Sequence, residues 1–304
     1  MPRCRKLRAG IGVAFALAAP LAAPAPAGAR ARPRLCGLRA KAPARYAHVI
    51  WIVLENKSPA AMLDSGQAPF LGDTARACGV ATSYWAVAHP SLPNYIALTS
   101  GSTQGVRGDG PPTAHRLAAR SLFEQVGSWK TYAESMPRAC LRHDSYPYAV
   151  RHDPAAYYTR LRGQLCRRDV PMGDLRRGAF VRDLATRRLP RFSLLVPNLC
   201  NDAHDCSVAT ADAWLGRVIS RIAQSRVYSA GRTAIFVTWD ESDDFGGPNR
   251  VALVAIAPSI RPGTRVGRRL DHYALLRATE GMLGQRVALG AAAHAGRLRR
   301  IFGI

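Results

Sequence analysis

Six stretches of the chain are apolar almost without interruption and rich in β-branched and aromatic residues: HVIWIVLE (48–55), VATSYWAV (80–87), WKTYAE (129–134), RFSLLVP (191–197), TAIFVTWD (233–240) and VALVAIAP (251–258). Short runs of this composition, without polar alternation, read as strands buried on both faces. Between them the apolar positions recur at helical spacing over roughly 67–77, 92–100, 119–126, 174–187, 207–225 and 272–283. Strands alternating with helices give the α/β class, a mostly parallel central sheet with helices on both faces. The stretch at about 107–190 breaks the rhythm. It carries DGPPT, SYPYAV and RHDPAAYY, and is expected to be an irregular insertion over one edge of the sheet. No internal repeat is present.

The chain opens MPRCRKLRAGIGVAFALAAPLAAPAPAGARA. A basic start, an apolar stretch from Gly10 to Ala25 and a small-residue site at Ala29-Arg30-Ala31 predict a secretory signal peptide over residues 1–31. Pro20, Pro24 and Pro26 crowd its far end, and the apolar run falls short of the roughly 20 residues that a membrane span needs. Export and release are expected, hence a secreted protein with one domain over 32–304. A chain of that length buries a substantial core.

Charge adds a constraint on partners. The formal net charge is +23; residues 1–31 hold five of the bases (Arg3, Arg5, Lys6, Arg8 and Arg30) and no acid, which leaves +18. The remaining bases are mostly Arg, scattered rather than gathered in a tail. Such a surface attracts anionic lipid headgroups or phosphorylated substrates. No zinc-finger spacing or RNA-binding aromatic signature accompanies it, so no specific nucleic acid is expected. Cysteine usage agrees with export: beyond Cys4 there are six, Cys36, Cys78, Cys140, Cys166, Cys200 and Cys206. An even number in a secreted chain predicts three disulfides with the pairing left open, although Cys200 and Cys206 are near enough to bridge locally.

The candidate chemistry sits where open α/β sheets keep it, at the carboxyl ends of strands. The first strand ends on Glu55 and Asn56. Another ends on Asp240 and Glu241, with Asp243 and Asp244 behind them in a solvated loop, so that four acids fall within five residues. A third, SLLVPNLCNDAHDC, leads to Asp202, His204 and Asp205, and late in the chain Asp271 and His272 stand at a helix start. Carboxylates that directly follow buried runs need a partner, and Glu55 and Asp240 converging on one crest form a plausible divalent metal site. In HPSLPNYIALTSG (89–101) Ser91 fits the N-cap of a helix with Pro93 in its first turn. The same position, a hydroxyl at a helix N-terminus that favours anions, also suits a nucleophile. His89 reads as a turn residue or a second acid/base. His48, His115, His143, His152 and His294 stand outside these motifs and read as structural or surface residues.

Taken together, HVIWIVLENKS, HPSLPNYIALTSG, NLCNDAHDCSVATADAWL, TWDESDDFGGPNRVALVAIAP and DHYALLRATEGMLG resemble the bacterial phosphoesterase family. That family includes secreted acid phosphatases and phospholipases C and belongs to the alkaline-phosphatase superfamily. The five motifs occur in order and cover residues 46 to 285. The resemblance implies an alkaline-phosphatase-like fold, with Ser91 as nucleophile and Asn94 as a side-chain donor to the phosphate. It places Glu55, Asn56, Asp240 and Glu241 on metal positions, and His204 and His272 near the family's histidine positions with Asp202 beside them. His204 becomes the candidate to protonate the leaving alkoxide or orient water. Glu55 and Glu241 stand where superfamily relatives carry Asp and His, which leaves the number and identity of the divalent metal ions open. The implied activity is a secreted metal-dependent phosphomonoesterase of the acid-phosphatase type that forms a phosphoserine, with phosphoinositides among the candidate esters. Two alternatives are a phospholipase C-type phosphodiesterase, disfavoured because those enzymes carry extra C-terminal domains, and a non-catalytic anion- or lipid-binding protein on the same scaffold. Oligomeric state is not legible.

Overall fold

Each of the six apolar runs is a strand in the computed structural model, which describes Met1 and residues 33–304. The leader expected over residues 1–31 lies, apart from Met1, outside the described residues. The strands are β1 (His48–Leu54), β2 (Gly79–Trp85), β3 (Trp129–Ala133), β4 (Asp169–Pro171), β5 (Phe192–Val196), β6 (Thr233–Trp239), β7 (Arg250–Ile256), β8 (Thr264–Val266) and β9 (Leu270–Asp271). They form one sheet in the order β4-β3-β5-β1-β6-β7-β2-β8, with β9 also pairing β2. Every pairing is parallel except those of β7 with β6 and β2. One strand therefore runs against the rest, and the remaining carboxyl ends share an edge.

Successive side chains of a strand point to opposite faces. All seven positions of β6 are buried, as are six of seven in β1 and in β7, so helices and loops must cover both faces of the sheet. The helices Pro69–Ala77 and Val208–Ala223 pack together, and Ser91–Ser100 packs against His272–Met282. Two hydrogen bonds fix these layers: the Leu71 amide donates to Asp212, and the Trp51 indole donates to Thr279 across the β1 face. The unit Pro33–Ile304 is compact, and among its helices none is long and apolar enough to cross a membrane.

Residues 107–190 are irregular in their middle, where short helical turns cover Val150–His152, Pro154–Tyr157 and Thr159–Leu161. They do more than lie over an edge, however. They supply β3 and β4, which are the edge. The six cysteines pair as Cys36–Cys78, Cys140–Cys166 and Cys200–Cys206. The second of these closes the insertion on itself, and the third closes the short loop after β5.

Candidate active site

The β1–β6 register sets Leu54 beside Trp239, so the residues that follow, Glu55 and Asp240, emerge side by side. The Asp240 amide donates to the Leu54 carbonyl at 3.0 Å, and the Glu55 amide donates to the Asp202 carbonyl at 3.0 Å. Three strand ends are thereby laced together. Glu55, Asp202, Asp240 and Glu241 are all buried.

Ser91 lies under this crest. Its hydroxyl donates to Glu55 Oε2 at 2.8 Å and lies 3.3 Å from Glu241 Oε1. The expected N-cap assignment is corrected here: Pro90 holds the cap position, Ser91 is the first helical residue, and Asp109 accepts the Leu92 amide at 2.8 Å. With Asp109 satisfying that amide, the Ser91 hydroxyl is free to face the carboxylates. Asn94 is corrected as well. Its Oδ1 accepts the Val87 and Ala88 amides and its Nδ2 donates to the Ala88 and Pro90 carbonyls, so its amide pins the turn 87–90 and has no donor left for a phosphate.

His89 Nδ1 bonds Glu241 Oε2, while its Nε2 is buried without a partner. The ring of Phe245 rests 5.1 Å from the His89 ring. His272 stands behind the front row: Nε2 donates to the Asp240 carbonyl at 2.6 Å and Nδ1 accepts from the Tyr84 hydroxyl at 3.1 Å. Burial pushes its imidazole down to about 4, which fixes it as a neutral prop. His204 is at the rim, with Nδ1 2.6 Å from Asp205 Oδ1 and Nε2 3.4 Å from Arg151.

One residue at the centre was read from sequence as structural or surface. His152 is fully buried, with Nε2 3.2 Å from Glu55 Oε1, Nδ1 3.3 Å from Asp202 Oδ2 and its ring stacked on Tyr95. Burial opposes its charge, but the two carboxylates outweigh burial and push it up to about 9. The Tyr95 hydroxyl donates to Glu55 Oε1 at 2.7 Å. Burial raises the Glu55 carboxyl, yet His152 and these hydroxyls more than offset it and hold it below its ordinary range. Asp240 shows the opposite balance. Burial first, then the charges of Glu55 and Glu241, push its carboxyl well up.

Among the described residues no group of three or more His, Cys, Asp and Glu side chains is drawn into a ready metal-binding array. The donor chemistry still fits a hard divalent cation. Asn56 Oδ1 and Asp240 Oδ2 are buried oxygens without partners, on residues adjoining the Ser91 carboxylates. Asn56 adopts a left-handed backbone, φ 47°, which lets its amide reach Asp240 Oδ1 at 3.2 Å. Oxygen ligands of this kind suit magnesium- or calcium-like ions rather than soft metals.

The sequence profile of the Phosphoesterase family matches residues 47–284. The chain is 32% identical over 252 residues to a phosphatidylinositol-3-phosphatase of Mycobacterium tuberculosis, covering 82% of this chain and 80% of that one. It is 28% identical to a phosphate-repressible acid phosphatase of Penicillium chrysogenum, over 75% of this chain, and spans only 56% of that relative's length. A solved alkaline-phosphatase-superfamily protein from Vibrio parahaemolyticus superposes with a TM-score of 0.58 at 12% identity, over 90% of this chain and 76% of that one, a likeness of fold.

Proposed function

The chain belongs to the Phosphoesterase family, and from that premise we propose that it is a secreted, metal-dependent phosphomonoesterase working through a phosphoserine at Ser91. Family and relatives together make it a hydrolase of phosphoric esters. The observation that carries the finer reading is the Ser91 hydroxyl, held between Glu55 Oε2 and Glu241 Oε1 at the first turn of a helix. The mycobacterial relative supports phosphoinositides as the substrate class, and three disulfides agree with an exported chain.

Ser91 Oγ attacks phosphorus as its proton passes to Glu241 Oε1. Burial, reinforced by the charge of Glu55, pushes the Glu241 carboxyl up to about 8, so its ionised form is a strong base and is the form that accepts this proton. Its other oxygen bonds His89, which orients the carboxyl toward Ser91 while it holds the proton. As the Ser91 Oγ–P bond forms, the bond to the leaving oxygen breaks and the leaving alkoxide takes a proton from His204. Water then returns a proton to His204 and attacks the phosphoserine; the Oγ–P bond breaks and Glu241 reprotonates Ser91. Glu55, Asn56, Asp240 and Glu241 would hold the divalent cation, which supplies Lewis-acid polarisation of a phosphoryl oxygen. Asn94, His272 and His152 position the groups that react.

Ser91→Ala tests this reading, with phosphate release measured on monoesters and diesters, with and without a chelator. Turnover of monoesters should fall on the order of 10³-fold or more while the fold survives. Near-normal release would reduce Ser91 to a helix residue, and preference for diesters would place the enzyme with the phospholipases C.

A further inference from the structure

Two aromatic rings are exposed among the described residues, Tyr146 at 75% and Phe245 at 65%, while most of the other Phe and Tyr side chains are buried. A single exposed apolar side chain means little. The placement of these two is what matters, since both belong to loops at the carboxyl edge of the sheet. Phe245 extends from the loop after β6 and rests on His89, the partner of Glu241. Tyr146 tips a turn in which Ser145 and Tyr148 exchange backbone hydrogen bonds. That turn is tied by its Pro147 carbonyl to the Leu199 amide, next to the Cys200–Cys206 loop that carries His204. Phe245 thus rests on the His89 ring, and Tyr146 extends from a turn tied to the start of the loop that carries His204.

Charge close to the strand-end crest is mixed, and the positive charge is carried by the surface around it. Arg151 lies 3.4 Å from His204, and Lys57 donates to the Asn56 carbonyl beside the metal positions. Two exposed acids directly precede Phe245: Asp243 accepts the Ser58 amide, which ties it to the loop after β1, and Asp244 lies close enough to His89 to favour its charged form. Beyond the rim, the chain after residue 31 carries +18 spread over many Arg. A diffuse positive field with isolated aromatic tips suits a fluid, anionic sheet better than a shaped protein groove. Aromatic rings with polar neighbours settle at the headgroup level of bilayers.

We propose that Phe245 and Tyr146 are interfacial anchors, which seat the strand-end crest that carries Ser91 on an anionic phospholipid bilayer so that the phosphate of a lipid headgroup enters without leaving the membrane. This rests on the phosphatase reading of the site and adds how the substrate is presented.

The test uses the full exported chain and two forms of one substrate: phosphatidylinositol 3-phosphate embedded in phosphatidylcholine vesicles, and its water-soluble short-chain analogue. Variants Phe245→Ser, Tyr146→Ser and the double variant are compared for vesicle co-sedimentation and for kcat/KM on each form. Removing each ring should weaken vesicle binding about tenfold, and the double variant should lose on the order of 10- to 100-fold in kcat/KM on vesicles. The soluble analogue should be turned over within about twofold of the wild type, which also shows that the variants fold. Ser91→Ala should still co-sediment, so a failure of the catalytic assignment is seen separately from a failure of the anchors. Undiminished vesicle turnover in the double variant would overturn the proposal. Equal losses on both substrate forms would overturn it too, because the rings would then be touching the headgroup or supporting the fold. Capture of a protein partner by wild type, lost in the ring variants while vesicle binding persists, would assign the patch to that partner and refute the membrane role.

Discussion

Asp153→Asn should make the protein markedly less sensitive to neutral pH. Asp153 and Asp169 are both completely buried, Asp169 on β4 beside Thr131 of β3. Among the described residues no Lys or Arg pairs with either carboxyl. The Tyr148 hydroxyl donates to Asp153 at 3.2 Å, and the two carboxyls face each other closely enough to share a proton. Burial pushes the Asp153 carboxyl up to about 6, and burial together with the charge of Asp153 pushes the Asp169 carboxyl well up from its ordinary range. The folded chain therefore keeps protons that the unfolded chain releases. Stability from this source is complete below the unfolded value, about 3.9, and is lost as the pH rises through the folded value. For Asp153 alone the change is worth about 3 kcal/mol, a large share of the 5–15 kcal/mol of a typical domain. Denaturant unfolding of wild type and variant at about pH 4 and about pH 7 measures it, and the quantity to compare is the difference between the two proteins, because other carboxylates titrate in both. The variant should match the wild type at the acid pH and exceed it by up to about 3 kcal/mol at the neutral one. A difference independent of pH would show that this pair carries no shared proton. The neighbouring residue is His152, so the same pH range should loosen the segment that places it.

His152→Gln leaves Glu55 and Asp202 facing each other without the imidazolium between them, and breaking such a buried pair costs about 3–5 kcal/mol; turnover should fall with stability, and a variant that keeps both would show that His152 is a bystander. Cys200→Ser with Cys206→Ser opens a short loop, so the loss from unfolded-state entropy should stay near about 2 kcal/mol, while kcat falls further because Asp202 and His204 are no longer held. Thermal melts and steady-state kinetics on that double variant separate the two effects, and an unchanged kcat would show that the bridge does not position the loop.

The central strands were legible because burial on both faces leaves no polar position to break the run. VIWIVL and AIFVTW say as much in sequence as β1 and β6 do in space. β4, β8 and β9 were not, for the same reason in reverse: at three, three and two residues they are too short to show any period. They exist because the sheet edge offers them hydrogen-bond partners, a tertiary cause that leaves no local mark. His152 was missed on similar grounds. It sits in YAVRHDPAAYY, within an irregular stretch where neither helical nor strand spacing predicts direction. The available signal was weak but physical: a His and an Asp set between two small apolar clusters, where burial obliges both to find partners.

Motif reading selected residues that the structure gathers at one crest, yet it could not sort those free to meet a ligand from those that hold them in place, since both kinds are polar and both lie near the strand ends. Hydrogen-bond saturation does the sorting. Asn94 has all four of its bonds committed to the turn before the helix, and His272 has both nitrogens committed, one to the backbone of Asp240. Neither has an atom left for a ligand. Asn56 Oδ1, Asp240 Oδ2 and His89 Nε2 are different: each is buried without a partner. An unpaired polar atom withdrawn from water costs about 1–3 kcal/mol, so these three are the atoms at the crest left free to meet a ligand. Two of the three are oxygens beside the carboxylates that bind Ser91, and the third is a nitrogen of the ring that bonds Glu241. In the function proposed above, a divalent cation would complete the two oxygens and a phosphoryl oxygen would complete the His89 nitrogen, all at the same crest.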